Sequence, residues 1–200
     1  MRIGALLAIG LFVGGAAAAP RTWSISVCGP ASDPRRAAVA EAVDFWNEQL
    51  TGVGAKLSLG PITACDRVIP DDLLTRISEG VLGNGRAGRL PREFDQIRGD
   101  VIILLSGADL ISVGMSPSGG RPGVVILRRP DIAPLSLPNV ARNVAAHELG
   151  HVLGLPHTAD PKLLMCGRPA PCRPALFQSD TRLFFPLTDR ERSDLAGRFR

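Results

Sequence analysis

All three histidines of the chain fall in one eleven-residue stretch, His147-Glu148-Leu149-Gly150-His151-Val152-Leu153-Gly154-Leu155-Pro156-His157. On an α-helix successive residues advance by about 100°, so positions i and i+4 sit about 40° apart on one face. His147 and His151 therefore present two imidazoles to a single point, with Glu148 one residue round from the first. Gly154 is placed to end that helix, because a residue without Cβ takes the left-handed conformation that reverses the chain. The reversal brings His157 back as a third imidazole. Three neutral imidazoles leave a fourth position open on a zinc ion, which marks a catalytic rather than a structural site. HExxH alone also fits an amphipathic core helix carrying a few polar residues. A packing role, however, gives no reason for every histidine to stand at ligand spacing with a glycine where the chain must turn.

The first residues combine one early cation, Arg2, an apolar run from Ile3 to Val13, and small residues from Ala16 to Ala19. That is the pattern of a secretory signal peptide, expected over residues 1–19. The run is too short to span a bilayer, and no later segment approaches about 20 uncharged apolar residues. The expectation is an exported protein, extracellular or periplasmic, without a stable membrane anchor. Residues 20–200 suit one domain with an adequate core. Four cysteines in an exported chain point to two disulfides. Cys166 and Cys172 are close enough to clip a local loop, which leaves Cys28 for Cys65. The net charge of +4 rests on arginines scattered along the chain, with no dense basic run and no Tyr. A nucleic-acid partner would need a clustered stripe with aromatic residues interleaved, so none is expected.

Thr22 to Val27 alternates polar and apolar residues, the period of a strand with one buried face. Asp33-Pro34 reads as the cap and first turn of a helix reaching Leu50, with Val39, Ala42, Val43, Trp46 and Leu50 on its inner face. A second strand is expected over Ala55 to Leu59 and a helix over Asp71 to Val81. Asp100 to Leu105 is continuously apolar, as in a strand covered on both faces. Gly123 to Leu127 makes the fourth strand, and the histidine-bearing helix runs from Asn139 to Leu153. Thr188, three residues before Glu191, forms a capping box that opens a last helix to Gly197. Gly150, mid-helix, costs about 1 kcal/mol relative to Ala, and a close approach to the sheet would explain it. This order implies an α+β domain: a mixed, twisted sheet with backing helices, an active-site helix and a small subdomain after Gly154.

These residues resemble the metzincin clan of zinc endopeptidases, and within it the matrixins, the family of the matrix metalloproteinases. Beyond the eleven-residue motif, Val144-Ala145-Ala146 is similar to the residues that precede the first ligand in matrixins. Leu163-Leu164-Met165-Cys166 is similar to the clan's methionine turn, with Met165 eight residues after His157 as in matrixins. Phe45-Trp46 is similar to the family's early tryptophan. The resemblance implies a zincin-like fold, a Met-turn at Met165 beneath the metal, and cleavage of an extended protein or peptide substrate, extracellular matrix among the candidates. It also carries departures. No further histidine is left for the second, structural zinc of animal matrixins, and residues 101–146 contain only Asp109 and Asp131, too few for a calcium cage. One catalytic zinc and no calcium is therefore expected. Cys28-Gly29-Pro30 superficially matches the cysteine switch of matrixin propeptides, but Cys28 directly follows the first strand and is read as a disulfide partner.

The implied chemistry is hydrolysis by Glu148-assisted attack of a zinc-bound water on a peptide carbonyl. The strand Gly123 to Leu127 is expected to form the upper rim of the cleft, where substrate adds as an extra strand. The segment from Gly167 to Pro186 would wall a side-chain pocket. A monomer is expected. Two other readings stand beside this one: a zinc hydrolase of a non-peptide amide, and a catalytically silent binding protein on the same frame. The silent protein would be expected to lack Glu148 or a ligand.

Overall fold

The computed structural model describes residues 19–84, 90–167, 172 and 182–200. The expected signal segment, apart from its last residue, lies outside them. The elements are β1 (Arg21–Cys28), α1 (Arg35–Gly52), β2 (Leu57–Cys65), α2 (Asp71–Asn84), a 3-10 turn (Arg92–Gln96), β3 (Val101–Leu105), β4 (Val113–Met115), β5 (Gly123–Leu127), α3 (Pro138–Val152) and α4 (Asp189–Arg198). Five strands form one sheet in the order β2-β1-β3-β5-β4. Every pairing is parallel except that of β4 with β5. The sheet is thus mixed, as the element order implied, but mostly parallel. No helix among the described residues is long and apolar enough to cross a membrane.

Register explains the two-sided burial of the central strands. Val27, Ile103 and Val125 are cross-strand partners on one face, where they join Val39, Trp46 and Leu149 of α1 and α3 in the larger core. Cys28, Leu104, Ile126 and Val113 are partners on the opposite face, where Leu74 of α2 and Phe94 cover them. At roughly 1.5–3 kcal/mol for each large apolar side chain removed from water, these two layers drive the fold.

Two expectations about the sheet are corrected. Gly123–Leu127 is not a rim: β5 lies between β3 and β4 with all five residues buried. The edge is β4, three residues in a Gly/Ser/Pro-rich stretch too short and too interrupted to show a period. β2 also runs further than expected, through Pro61 to Cys65.

α1 begins one turn-residue later than its Asp-Pro signal implied. Asp33 Oδ1 accepts from the Arg35 backbone N–H at 2.9 Å, while Arg35 is itself buried. A buried guanidinium is costly unless its donors are met. Here Nη1 donates to the carbonyls of Ser106, Leu127 and Arg128 at 2.7, 2.9 and 2.6 Å, and Asp33 supplies the counter-charge. Burial works to raise the Asp33 pKa, but the hydrogen bonds and charge of Arg35, aided by Arg36, hold it below the usual value. The group thus ties the start of α1 to the ends of β3 and β5. The capping box of α4 is present in full, Glu191 N–H donating to Thr188 Oγ1 at 3.0 Å and Thr188 N–H to Glu191 Oε2 at 2.6 Å.

Disulfides join Cys28 to Cys65 and Cys166 to Cys172, and no described cysteine is free. The first links register partners of β1 and β2 and closes a loop of 37 residues. Loop-closure entropy for that length is worth about 3–4 kcal/mol. Replacing both Cys28 and Cys65 by Ala should lower the melting temperature by roughly 10 °C. A change within 2–3 °C of wild type would show that the bond does not constrain the unfolded chain.

Candidate metal centre

α3 ends as the glycine demanded. Gly154 has φ +88°, Leu155 N–H bonds the Gly150 carbonyl at 2.9 Å, and Gly154 N–H bonds that of His151 at 2.9 Å. This pair of bonds is the Schellman motif, which satisfies the last carbonyls and turns the chain back. His147, His151 and His157 are brought together by it and form a group able to hold one metal ion.

The hydrogen bonds also set which ring nitrogens are available. His147 Nδ1 lies 2.7 Å from the Leu164 carbonyl and His151 Nδ1 2.8 Å from that of Leu155. A carbonyl only accepts, so each Nδ1 carries the proton and each Nε2 keeps a lone pair. The three Nε2 atoms face one another at 2.9, 3.1 and 3.3 Å. Tetrahedral ligands at zinc–nitrogen distances of about 2.0–2.1 Å stand about 3.3 Å apart, so the donor set fits the ion. Burial pushes the His151 pKa down to about 4, with His157 acting the same way and the Leu155 carbonyl opposing. His151 is thus neutral, and competent to ligate, at pH 7.

Glu148 is 6 % exposed and lines the same cavity as the three imidazoles. Met165 is fully buried. Its neighbour explains Gly150: a Cβ there would come under 3.0 Å from Met165 Sδ and meet Met165 Cε and Trp46 Cζ2 at 3.0 Å. The close approach is to methionine and tryptophan, not to the sheet. Trp46 in turn donates from Nε1 to the Ala146 carbonyl at 2.8 Å, clamping α1 to α3. Gly167 passes beneath the His157 ring, where a Cβ would overlap it.

Three contributors were not read from the sequence. β4 crosses α3 so closely that a Cβ on Gly114 would fall well under 3.0 Å from the Glu148 carbonyl oxygen, and Ser116 Oγ donates to the His151 carbonyl at 2.6 Å. Asn139 and Asn143 bind the backbone of residues 183–185. Leu183 N–H donates to Asn139 Oδ1 at 3.0 Å and Phe185 N–H to Asn143 Oδ1 at 2.8 Å. Arg128 lines the cavity as well. The Asn pair stands four apart on one helix face, a spacing that could have marked it, whereas nothing local marks Gly114 or Arg128. Of the segment expected to wall the pocket, Gly167 and Cys172 line the cavity, and residues 168–171 and 173–181 lie outside the described residues.

The cavity, about 670 Å³, holds Glu148 and all three histidines. A second, about 710 Å³, continues past Met115, Ser116 and Arg121. Both are lined by Val81, Gly114 and His151, so they are neighbours along β4.

Residues 136–180 match the family model of the matrixins, a peptidase family; the matched segment is under a quarter of the chain. The archaemetzincin of Methanopyrus kandleri is similar at 19 % identity over 87 % of this chain and 93 % of that one, with a TM-score of 0.48. No curated protein matches. The convergent histidines, within the segment that matches the matrixins, support a zinc metallopeptidase.

Proposed function

We propose that the chain is an exported, zinc-dependent endopeptidase of matrixin type, acting as a monomer on extended protein or peptide substrates through one catalytic zinc. Residues 1–19 would be the signal peptide and 20–200 the catalytic domain, with Met165 in a Met-turn and the part after Gly154 as the small subdomain. The observation that carries this reading is the pair of cavities along β4: one holds the histidine trio and Glu148, and its neighbour shares Gly114 and His151 with it. A closed pocket would suit a small amide, whereas a through-running cleft suits a chain cut away from its ends. The edge strand adds to this, since among the described residues β4 has one strand partner, β5, and a substrate backbone pairing along its other side would lie across the trio.

His147, His151 and His157 would hold the ion through Nε2. When bound, zinc supplies Lewis-acid polarisation of the peptide carbonyl and makes a water ionisable near neutral pH. The attacking water gives its proton to a Glu148 carboxylate oxygen as the new carbon–oxygen bond forms. When the carbon–nitrogen bond breaks, the same carboxyl passes that proton to the departing amine. Leu164 and Leu155 carbonyls keep two imidazoles in the required tautomer throughout.

Incubating the zinc-loaded protein with a mixed peptide library and sequencing the products tests the reading. Internal cuts are expected, lost on chelation and restored by zinc alone, with no gain from added calcium. Removal of single terminal residues, absence of any cut, or a requirement for calcium would each refute the corresponding part.

A further inference from the structure

Building on the peptidase reading above, we infer that Arg128 makes the cleft selective for a peptide bearing a carboxylate on the side of the cut bond nearest Ile111 and Ser112. Among the described residues lining the first cavity, Arg128 is the one cation, set against apolar walls such as Leu135, Val140 and Val144. Its backbone is fixed from two sides: its N–H donates to Ser112 Oγ at 3.2 Å, and its carbonyl accepts from buried Arg35 at 2.6 Å. These bonds hold the main chain at the cavity wall, and the side chain reaches from there to Asp109.

Its partners leave it short. Nη2 bonds one oxygen of Asp109, whose side chain is 62 % exposed, while Nε is buried with no partner. Guanidinium binds carboxylate best as a two-armed fork, and an orphaned buried donor is costly. With Nε buried, the exposed part of this side chain lies elsewhere, and an incoming carboxylate can form that fork with the two Nη atoms; Asp109, well solvated, is a weak competitor. Since β4 runs from Val113 beside Arg128 toward Met115, a peptide lying antiparallel to it, the more stable pairing, sets its residues after the cut bond at Arg128. Either an acidic side chain or a free C-terminus offers the required group.

Quenched fluorescent peptides distinguish these sources. One set carries Glu or Gln at each of the first three positions after the cut bond, and the other ends there with a free or amidated C-terminus. Wild type should favour Glu over Gln, or free over amidated, by about tenfold in kcat/KM. Arg128→Gln should bring that ratio close to one. Asp109→Asn, a change at an exposed side chain, should raise it by removing the internal competitor. The readout is the ratio within each variant, so a general loss of activity does not imitate it. A ratio near one in wild type, or one that survives Arg128→Gln, overturns the inference. Failure of the peptidase reading looks different, because then no peptide of either set is cut.

Discussion

Glu148→Gln is expected to lower kcat for peptide cleavage by about 10²–10⁴-fold while leaving near-stoichiometric zinc in the protein. The amide keeps the shape of the side chain in a site where the residue is 6 % exposed, yet it takes no proton, and general acid–base assistance is worth about that factor. The three imidazoles are untouched, so the ion stays. His151→Ala should differ in kind, because one of three ligands is gone and metal analysis should find the zinc depleted. Measuring metal content beside rate separates the two roles. If Glu148→Gln kept most of the wild-type activity, another group would have to serve as the base.

Gly114→Ala should be strongly damaging, although it adds only one methyl. The new Cβ would strike the Glu148 carbonyl oxygen, and backbone has no rotamer to escape into. Overpacking costs about 1–3 kcal/mol, and a clash between two main chains belongs at the upper end. Either β4 lifts from α3 or the helix shifts, and a misplacement near 1 Å is enough for a loss of roughly 10²-fold in kcat/KM. Gly80→Ala in α2 provides the comparison, since a Cβ there meets nothing within 4 Å, and helix propensity should make it neutral or stabilising by up to about 1 kcal/mol. Equal activity and melting temperature for the two variants would mean that the approach of β4 to α3 does not set the geometry of the site.

What could be read in advance was what depends on residues near one another along the chain. The i, i+4 and turn spacing of the histidines, the capping box at Thr188 and Glu191, and the apolar run of β3 each carry their own local reason. The disulfide pairs were legible for a similar cause, one being a short loop that left the other by elimination. Strand order is not local. Gly123–Leu127 has the composition of any buried strand, and only pairing with both β3 and β4 shows that it is interior rather than a rim. β4 itself has three residues, too few to show a period, and its place follows from Gly114 fitting against α3. Likewise a helical glycine announces that something lies close, but the identity of that neighbour, Met165 with Trp46, depends on how three distant segments fold together.

The carbonyl that orients His147 belongs to Leu164, whose own N–H is held by the Pro186 carbonyl at 3.0 Å. Residues 183–185 are in turn fastened to Asn139 and Asn143, which precede His147 on the same helix by about two turns and one turn. The last fifth of the chain thus closes a circuit through two peptide groups back to the first imidazole. A polypeptide halted before that circuit closes already possesses the whole eleven-residue motif, yet its leading imidazole is free to rotate and to take either tautomer. Under the zinc reading, a change confined to residues 183–186 would therefore loosen the proposed metal site from a distance, with every residue of the motif left intact.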